Sequence, residues 1–264
     1  MKTAELIRRM NATFHPECQE SYDNSGFLIG DPECTVTGVL TALDLTEAVA
    51  EEAVAKGVNL IVTHHPVIFG GLKHITPDTT AGRIVLRLVK SGVAVYAAHT
   101  NLDNLKVGVN GILAANLGLE ECRILRPQAG DPDIGAGLIG ILPHPVPTAQ
   151  FLAMVKESLH LPAMRVGVGA LDIRAIVRQV AICGGAGSFL IGDAITARAD
   201  IYLTGDLKYH DFQKAERQLV LADIGHYESE QPTRGLLAGA VDALGDGSFK
   251  TFVTTACDRW EVWV

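Results

Sequence analysis

Two adjacent histidines, His64 and His65, close the apolar run Leu60-Ile61-Val62-Thr63 and are followed at once by Pro66. Further along, His99 and Asp103 stand in the segment HTNLD, and His226 and Glu230 in GHYESE, each pair separated by the same interval. Imidazole nitrogens combined with carboxylate oxygens suit borderline divalent ions such as Zn²⁺, Fe²⁺, Mn²⁺, Co²⁺ or Ni²⁺. His64, His65, Asp103, His226 and Glu230 are therefore candidate ligands. One catalytic ion usually takes three protein ligands, so this set points to a pair of ions with a bridging carboxylate. His99 fits an orienting role beside a ligand. A lone histidine at a strand end is more often a satisfied polar residue than a ligand. The recurrence of His-x-x-x-Asp/Glu after apolar runs is what favours metal here.

The elements that must position these groups follow from periodicity. Residues 59–63 read as a buried strand, and in open α/β sheets ligands bind beyond the carboxyl ends of the strands. Consecutive strand residues face opposite ways, so His64 and His65 share a cleft only if the strand has ended, which Pro66 favours. Before it come a helix over 3–14 with Leu6, Ile7, Met10 and Phe14 on one face, and a polar loop containing Asp23, Asn24 and Ser25, read as turn formers. A strand over 36–43 ends at Asp44, and Thr46 caps a helix over 47–56 that Gly57 stops. A loop over 67–80, long enough to be a lid, precedes a helix over 81–91, a strand over 93–98 and a helix over 109–117. The Pro- and Gly-bearing stretch 127–135 is the expected boundary.

Beyond it the spacing predicts strands over 137–142, 165–168, 177–183, 200–204, 219–224 and 249–253. Helices are expected over 148–159, 190–197, 210–218 and 233–243, and the terminal WEVWV as a further strand. LIVTHH (60–65) parallels IYLTGD (201–206), and VYAAHTNLD (95–103) parallels VLADIGHYESE (220–230). The expected organisation is thus two α/β repeats, residues 1–126 and 127–264, whose strand ends face one central cleft.

Composition bounds the function. The chain has 264 residues and a formal net charge of −8, which argues against nucleic acid as a partner, since phosphates require a basic face. Its five cysteines (18, 34, 122, 183 and 257) are odd in number, scattered and without C-x-x-C, as in a reducing compartment. The N-terminus carries charges where a signal peptide needs an apolar core, and the uncharged stretch near 134–155 is broken by Pro143, Pro145 and Pro147. A cytoplasmic protein with no membrane partner is expected.

The motifs DNSGFLIG (23–30), THHP (63–66), HTNLD (99–103), CGGAGSFL (183–190), TGDLKYHD (204–211) and GHYESE (225–230) resemble those of the GTP cyclohydrolase 1 type 2 homologues, also called NIF-three-like proteins. The match is ordered and spans nearly the whole chain. The resemblance implies two intertwined α/β repeats with mixed sheets flanked by helices, a dinuclear metal site in the cleft between them and a homohexamer built as a trimer of dimers. It carries the ligands over to His64, His65, Asp103, His226 and Glu230, with His99 adjacent. Some family members hold an extra mid-chain domain, for which the stretch 127–177 is too short.

The leading expectation is a metal-dependent hydrolase of a nucleotide or related small molecule, with Glu230 or Asp103 as ligand and proton acceptor. The alternative is a metal carrier, insertase or regulatory scaffold without turnover. Lys208, Tyr209 and His210 either contact substrate or form a solvated turn with a helix cap. The CGGAGSFL turn either cradles an anion or packs tightly, and is no Walker A loop. Ser188 and Cys183 lack the elbow motif of a nucleophile.

Overall fold

The computed structural model describes residues 1–128, 130–167, 175–215 and 217–262. They form two compact units, Met1–Leu102 with Thr233–Val262, and Asp103–Pro232. The first unit thus takes in the chain's C-terminal segment, whereas the sequence pattern suggested a division at 126/127. Each unit is a mixed sheet flanked by helices.

The first unit holds the five-stranded sheet β1-β4-β3-β2-β11, formed by β1 (Gly26–Ile29), β2 (Val39–Ala42), β3 (Leu60–Thr63), β4 (Ala94–Ala97) and β11 (Thr251–Val253). All neighbours run parallel except β1, which lies antiparallel to β4. Every residue of β2, β3 and β4 is buried, as expected of parallel strands covered on both faces. The helices Glu47–Lys56 and Thr80–Ser91 begin at Thr46 and Thr79, whose hydroxyls accept from Val49 N and Gly82 N, and end at Gly57 and Gly92 in the left-handed region. In the helix Thr3–Phe14, Leu6, Met10 and Phe14 are buried, while Ile7 lies at the edge of that face.

Register decides what the strand ends present. Ala42 pairs with Thr63 and Thr63 with Ala97, so the carboxyl ends of β2, β3 and β4 are level. Asp44, His65 and His99 each stand two positions beyond their paired strand residue. The C-terminal segment is fastened to the same unit. Glu52 accepts from Thr254, from the Thr255 hydroxyl at 2.8 Å and from Ala256 N at 3.0 Å. Asp258 accepts from Leu43 N at 2.9 Å and pairs with Arg234 at 3.3 Å.

The second unit holds the six-stranded sheet β5-β6-β8-β9-β10-β7, formed by β5 (Glu120–Gln128), β6 (Asp131–Pro147), β7 (Arg165–Val166), β8 (Ile176–Ala186), β9 (Ile201–Gly205) and β10 (Val220–Asp223). Its β8-β9-β10 neighbours are parallel, like β2-β3-β4, and β9 and β10 carry the segments that parallel β3 and β4 in sequence. A core of Leu113, Phe151, Val155, Val180, Leu203 and Ile224, among others, packs the helices Val109–Asn116 and Thr148–Ser158 against this sheet.

The structure departs from the pattern in places. The stretch expected as a boundary is the end of a hairpin: Pro127 pairs with Gly135 and Gln128 with Asp131, and Gly130 has φ +95°. Pro, Gly and Asp punctuate hairpins as readily as linkers, so composition alone does not separate the two. β5 lacks a clear alternation, so the sequence pattern does not mark it as a strand. The helix expected over 210–218 is one turn, Asp211–Lys214, and Glu216 lies outside the described residues. Ser188–Leu190 is a 3-10 turn leading into the helix Ile191–Thr196. Val168 of the expected strand 165–168, and Trp263 and Val264 of WEVWV, lie outside the described residues; Trp260–Val262 form no strand.

Candidate functional site

In the first unit, the strand β3 ends at Thr63 and the chain bends, so the rings of His64 and His65 come to 4.9 Å between centroids instead of facing opposite ways. The ring of His99 lies 5.3 Å from each. One potential ligand atom from each of these residues falls within 4.8 Å of those of the other two.

Each imidazole has its Nδ1 engaged by an oxygen. His64, fully buried, donates from Nδ1 to Ala98 O at 2.7 Å. His65 Nδ1 lies 3.1 Å from Asp44 Oδ2, and His99 Nδ1 lies 2.7 Å from Asp23 Oδ1. A carbonyl or carboxylate can only accept, so Nδ1 carries the proton and the lone pair of the neutral ring is on Nε2. This is the arrangement that orients metal-ligating histidines.

Asp23 explains the DNSG segment that the sequence offered only as a turn. Its carboxylate accepts from His99, from Thr100 N at 3.0 Å, from the Thr100 hydroxyl and from Ser25 Oγ at 3.1 Å. Burial alone would raise its pKa. The hydrogen bonds from His99, from Thr100 and from the Asn24 N–H outweigh burial and hold the group below the usual carboxylate range. Asn24 Nδ2 in turn donates to Ile68 O at 2.6 Å, fixing the start of the 67–80 loop.

In the second unit, His226 and Glu230 lie on the short helix His226–Glu230, so the interval between them is one helical turn and places both on one face. The sequence pattern located this segment beyond a strand without showing that it is helical; HTNLD likewise ends in the helix Thr100–Asp103. His226 Nε2 stands 3.1 Å from Glu230 Oε2, while its Nδ1 is held by Asp206 Oδ2 at 2.8 Å. Carboxylate oxygens of Asp103 and Glu230 lie within 4.8 Å of each other. Asn110 links two parts of this unit, donating to Asp103 O at 3.1 Å and accepting from Gly184 N at 2.9 Å.

The glycine-rich segment expected as a turn is the irregular end of β8, and it is shaped for these side chains. A Cβ on Gly185, at φ +61°, would overlap Glu230 Oε1 and reach 3.3 Å from His226 Cε1. One on Gly184 would lie 2.9 Å from Val109 Cγ1 and 3.4 Å from Glu230 Cγ. This strand end is therefore a close-packed seat for Glu230. Cys183, beside it, is buried; burial first, then the charges of Asp103 and Glu230, pushes its thiol up to about 12, which removes it as a nucleophile at neutral pH. Lys208, Tyr209 and His210 are exposed, and Lys208 N donates to Asp211 Oδ2 at 2.9 Å as in a helix cap.

Sequence reasoning thus found the histidines and carboxylates but missed Asp23, Asp44 and Asp206 as their acceptors. Asp44 and Asp206 both sit just beyond strand ends, and that position was the available signal. Among the described residues, no helix is long and apolar enough to cross a membrane.

A family model described as Duf34/NIF3 (NGG1p interacting factor 3) matches residues 1–257. A Clostridium perfringens protein named GTP cyclohydrolase 1 type 2 homolog is 35% identical over 235 residues, covering 88% of each chain. A Streptomyces coelicolor protein of the same name is 35% identical over 249 residues, covering 93% of this chain and 87% of its own. Among solved structures, a Staphylococcus aureus protein superposes with a TM-score of 0.89 at 28% identity, covering 100% of this chain and 99% of its own. A Bacillus cereus protein described as related to NIF3 does so with a TM-score of 0.88 at 26% identity and the same coverage.

Proposed function

The chain belongs to the Duf34/NIF3 family, and on that premise we propose that it is a dinuclear metal-binding hydrolase of a nucleotide or related small molecule. His64, His65, Asp103, His226 and Glu230 hold two divalent ions, and His99 supports them. The observation that carries this reading is the set of three clustered imidazoles, each with Nδ1 on an oxygen acceptor. That donor set, neutral imidazole Nε2 lone pairs with carboxylate oxygens, fits a borderline divalent ion.

Such ions supply Lewis acidity and bring the pKa of a bound water toward neutrality. The protein's part is positioning and proton handling. Asp44, Asp23 and Asp206 fix the tautomers of His65, His99 and His226 and raise their basicity. Asp103 and Glu230 are both ligands, and one of them also accepts the proton. The close seat at Gly184 and Gly185 holds the Glu230 side chain in place. The printed name of the relatives makes GTP the first substrate to try. The motif resemblance supports a homohexamer, a trimer of dimers, and the cysteine pattern supports a cytoplasmic location.

The test is metal content and GTP consumption by protein loaded with Zn²⁺, Mn²⁺, Fe²⁺, Co²⁺ or Ni²⁺, beside Glu230→Ala. Turnover that needs metal and is lost in the variant supports the reading. Bound metal with no turnover on any ion defeats GTP hydrolysis and favours the carrier or scaffold role. Light scattering after size exclusion tests the hexamer.

A further inference from the structure

Within the first unit, a cavity of about 280 Å³ opens beside His65. Its size is near the lower bound of about 300 Å³ for small-molecule sites, enough for a ring system and too small for a whole nucleotide. Ala81 and Ile84, on the first turns of the helix Thr80–Ser91, give it an apolar wall, and Trp260 stands across it.

One carboxylate organises this place. Asp44 Oδ2 faces the His65 Nδ1–H at 3.1 Å, and Asp44 Oδ1 accepts from Trp260 Nε1 at 3.0 Å. The indole is 64% exposed, so core packing does not hold it. It is held by Asp44 and by the preceding Asp258, whose carboxylate is tied to Leu43 N. A large aromatic surface fixed in water against an apolar slot is what a stacking site looks like before its ligand arrives. Asp44 makes the slot unfavourable for an anion. Thr80 supplies a donor: its hydroxyl oxygen accepts from Arg83 at 3.2 Å, leaving its proton for an acceptor in the slot.

We propose that this cavity binds an uncharged, planar heteroaromatic ring, stacked on Trp260 and hydrogen-bonded by Thr80, as the ring portion of the substrate. Binding itself depends only on the cavity; its use in turnover rests on the metal-hydrolase reading of His65.

The probe is purine, titrated into chelator-treated Trp263→Phe protein so that Trp260 alone emits. Expected is saturable quenching with half-saturation on the order of 1 mM, the scale of a ligand with few atoms. Ala81→Phe, which fills the slot, abolishes saturation. Thr80→Val weakens purine roughly fivefold by the loss of one hydrogen bond, and serves if Ala81→Phe does not fold. Inorganic phosphate gives no saturable change. Quenching that stays linear with purine concentration, or a Thr80→Val titration identical to the parent, overturns the proposal. In His64→Ala, purine still saturates while metal affinity falls. Metal binding without purine saturation would defeat only the ring site, and purine saturation without metal binding only the metal reading.

Discussion

Replacing in turn the carboxylates that hold the histidines tests whether those histidines are ligands. Asp23, Asp44 and Asp206 each contact an imidazole Nδ1, at 2.7, 3.1 and 2.8 Å. Distance alone would rank Asp206 with Asp23. Their exposure differs, however: 0% of the Asp23 side chain, 16% of Asp44 and 54% of Asp206 is accessible. A charge-assisted hydrogen bond shielded from water contributes about 1.5–3 kcal/mol, while an exposed pair contributes roughly 0–1 kcal/mol. Removing an acceptor behind a ligating histidine typically weakens metal 10–100-fold, or about 1.4–2.7 kcal/mol. Asp44→Asn should therefore lie in that range, Asp23→Asn below it because His99 supports the ligands and is not one of them, and Asp206→Asn should weaken metal by roughly fivefold or less.

The assay is Zn²⁺ competition against a chelating dye, with thermal melts to establish that each variant is folded. Asp23→Asn also loses the acceptor for Thr100 N, so its melt will fall and the comparison of Asp44 with Asp206 carries the argument. If Asp206→Asn weakens Zn²⁺ as much as Asp44→Asn, burial is not what sets the effect. If Asp44→Asn leaves the affinity of folded protein unchanged, His65 is not a ligand.

Glu52 fastens the C-terminal segment, and against the opposing effect of burial the hydrogen bonds from Thr254, Ala256 and Thr255 lower its pKa from 4.5 to about 2. Glu52→Gln should cost roughly 2–3 kcal/mol at pH 7. Because the folded pKa is depressed, this contribution is full above the unfolded value and fades as pH falls toward about 2. Urea unfolding at neutral and acidic pH reads it, and a pH-independent difference between the proteins would contradict it. Gly185→Ala meets Glu230 with a Cβ at φ +61°. It should cost at least about 1–2 kcal/mol from the backbone alone and reduce bound metal, seen by melting and metal analysis. Cys183 should resist a disulfide reagent in native protein while the exposed Cys34 and Cys257 react, and Cys183→Ser should keep any turnover the parent shows.

Much of the fold was legible because it rests on local rules. The apolar runs at 60–63, 94–97, 201–205 and 220–223 are buried strands, and the Thr46-to-Gly57 frame and the run that Gly92 stops are helices. Less legible were elements defined by partners far along the chain. β5 is a strand because β6 pairs with it, and Thr251–Val253 belongs to the first sheet because it lies beside β2. No periodicity within those stretches records such pairings.

The same division holds for the candidate site. By itself the sequence determined the donor types, the His64–His65 pair released by Pro66, and the one-turn interval between His226 and Glu230, all of which are properties of neighbouring residues. Only the tertiary structure decided that Asp44, His65 and His99 stand level, because the parallel register aligns Ala42, Thr63 and Ala97. It also decided that Asp23 is the buried acceptor of His99 and not a turn former, since a carboxylate's role is set by which group burial brings against it across 76 positions of chain.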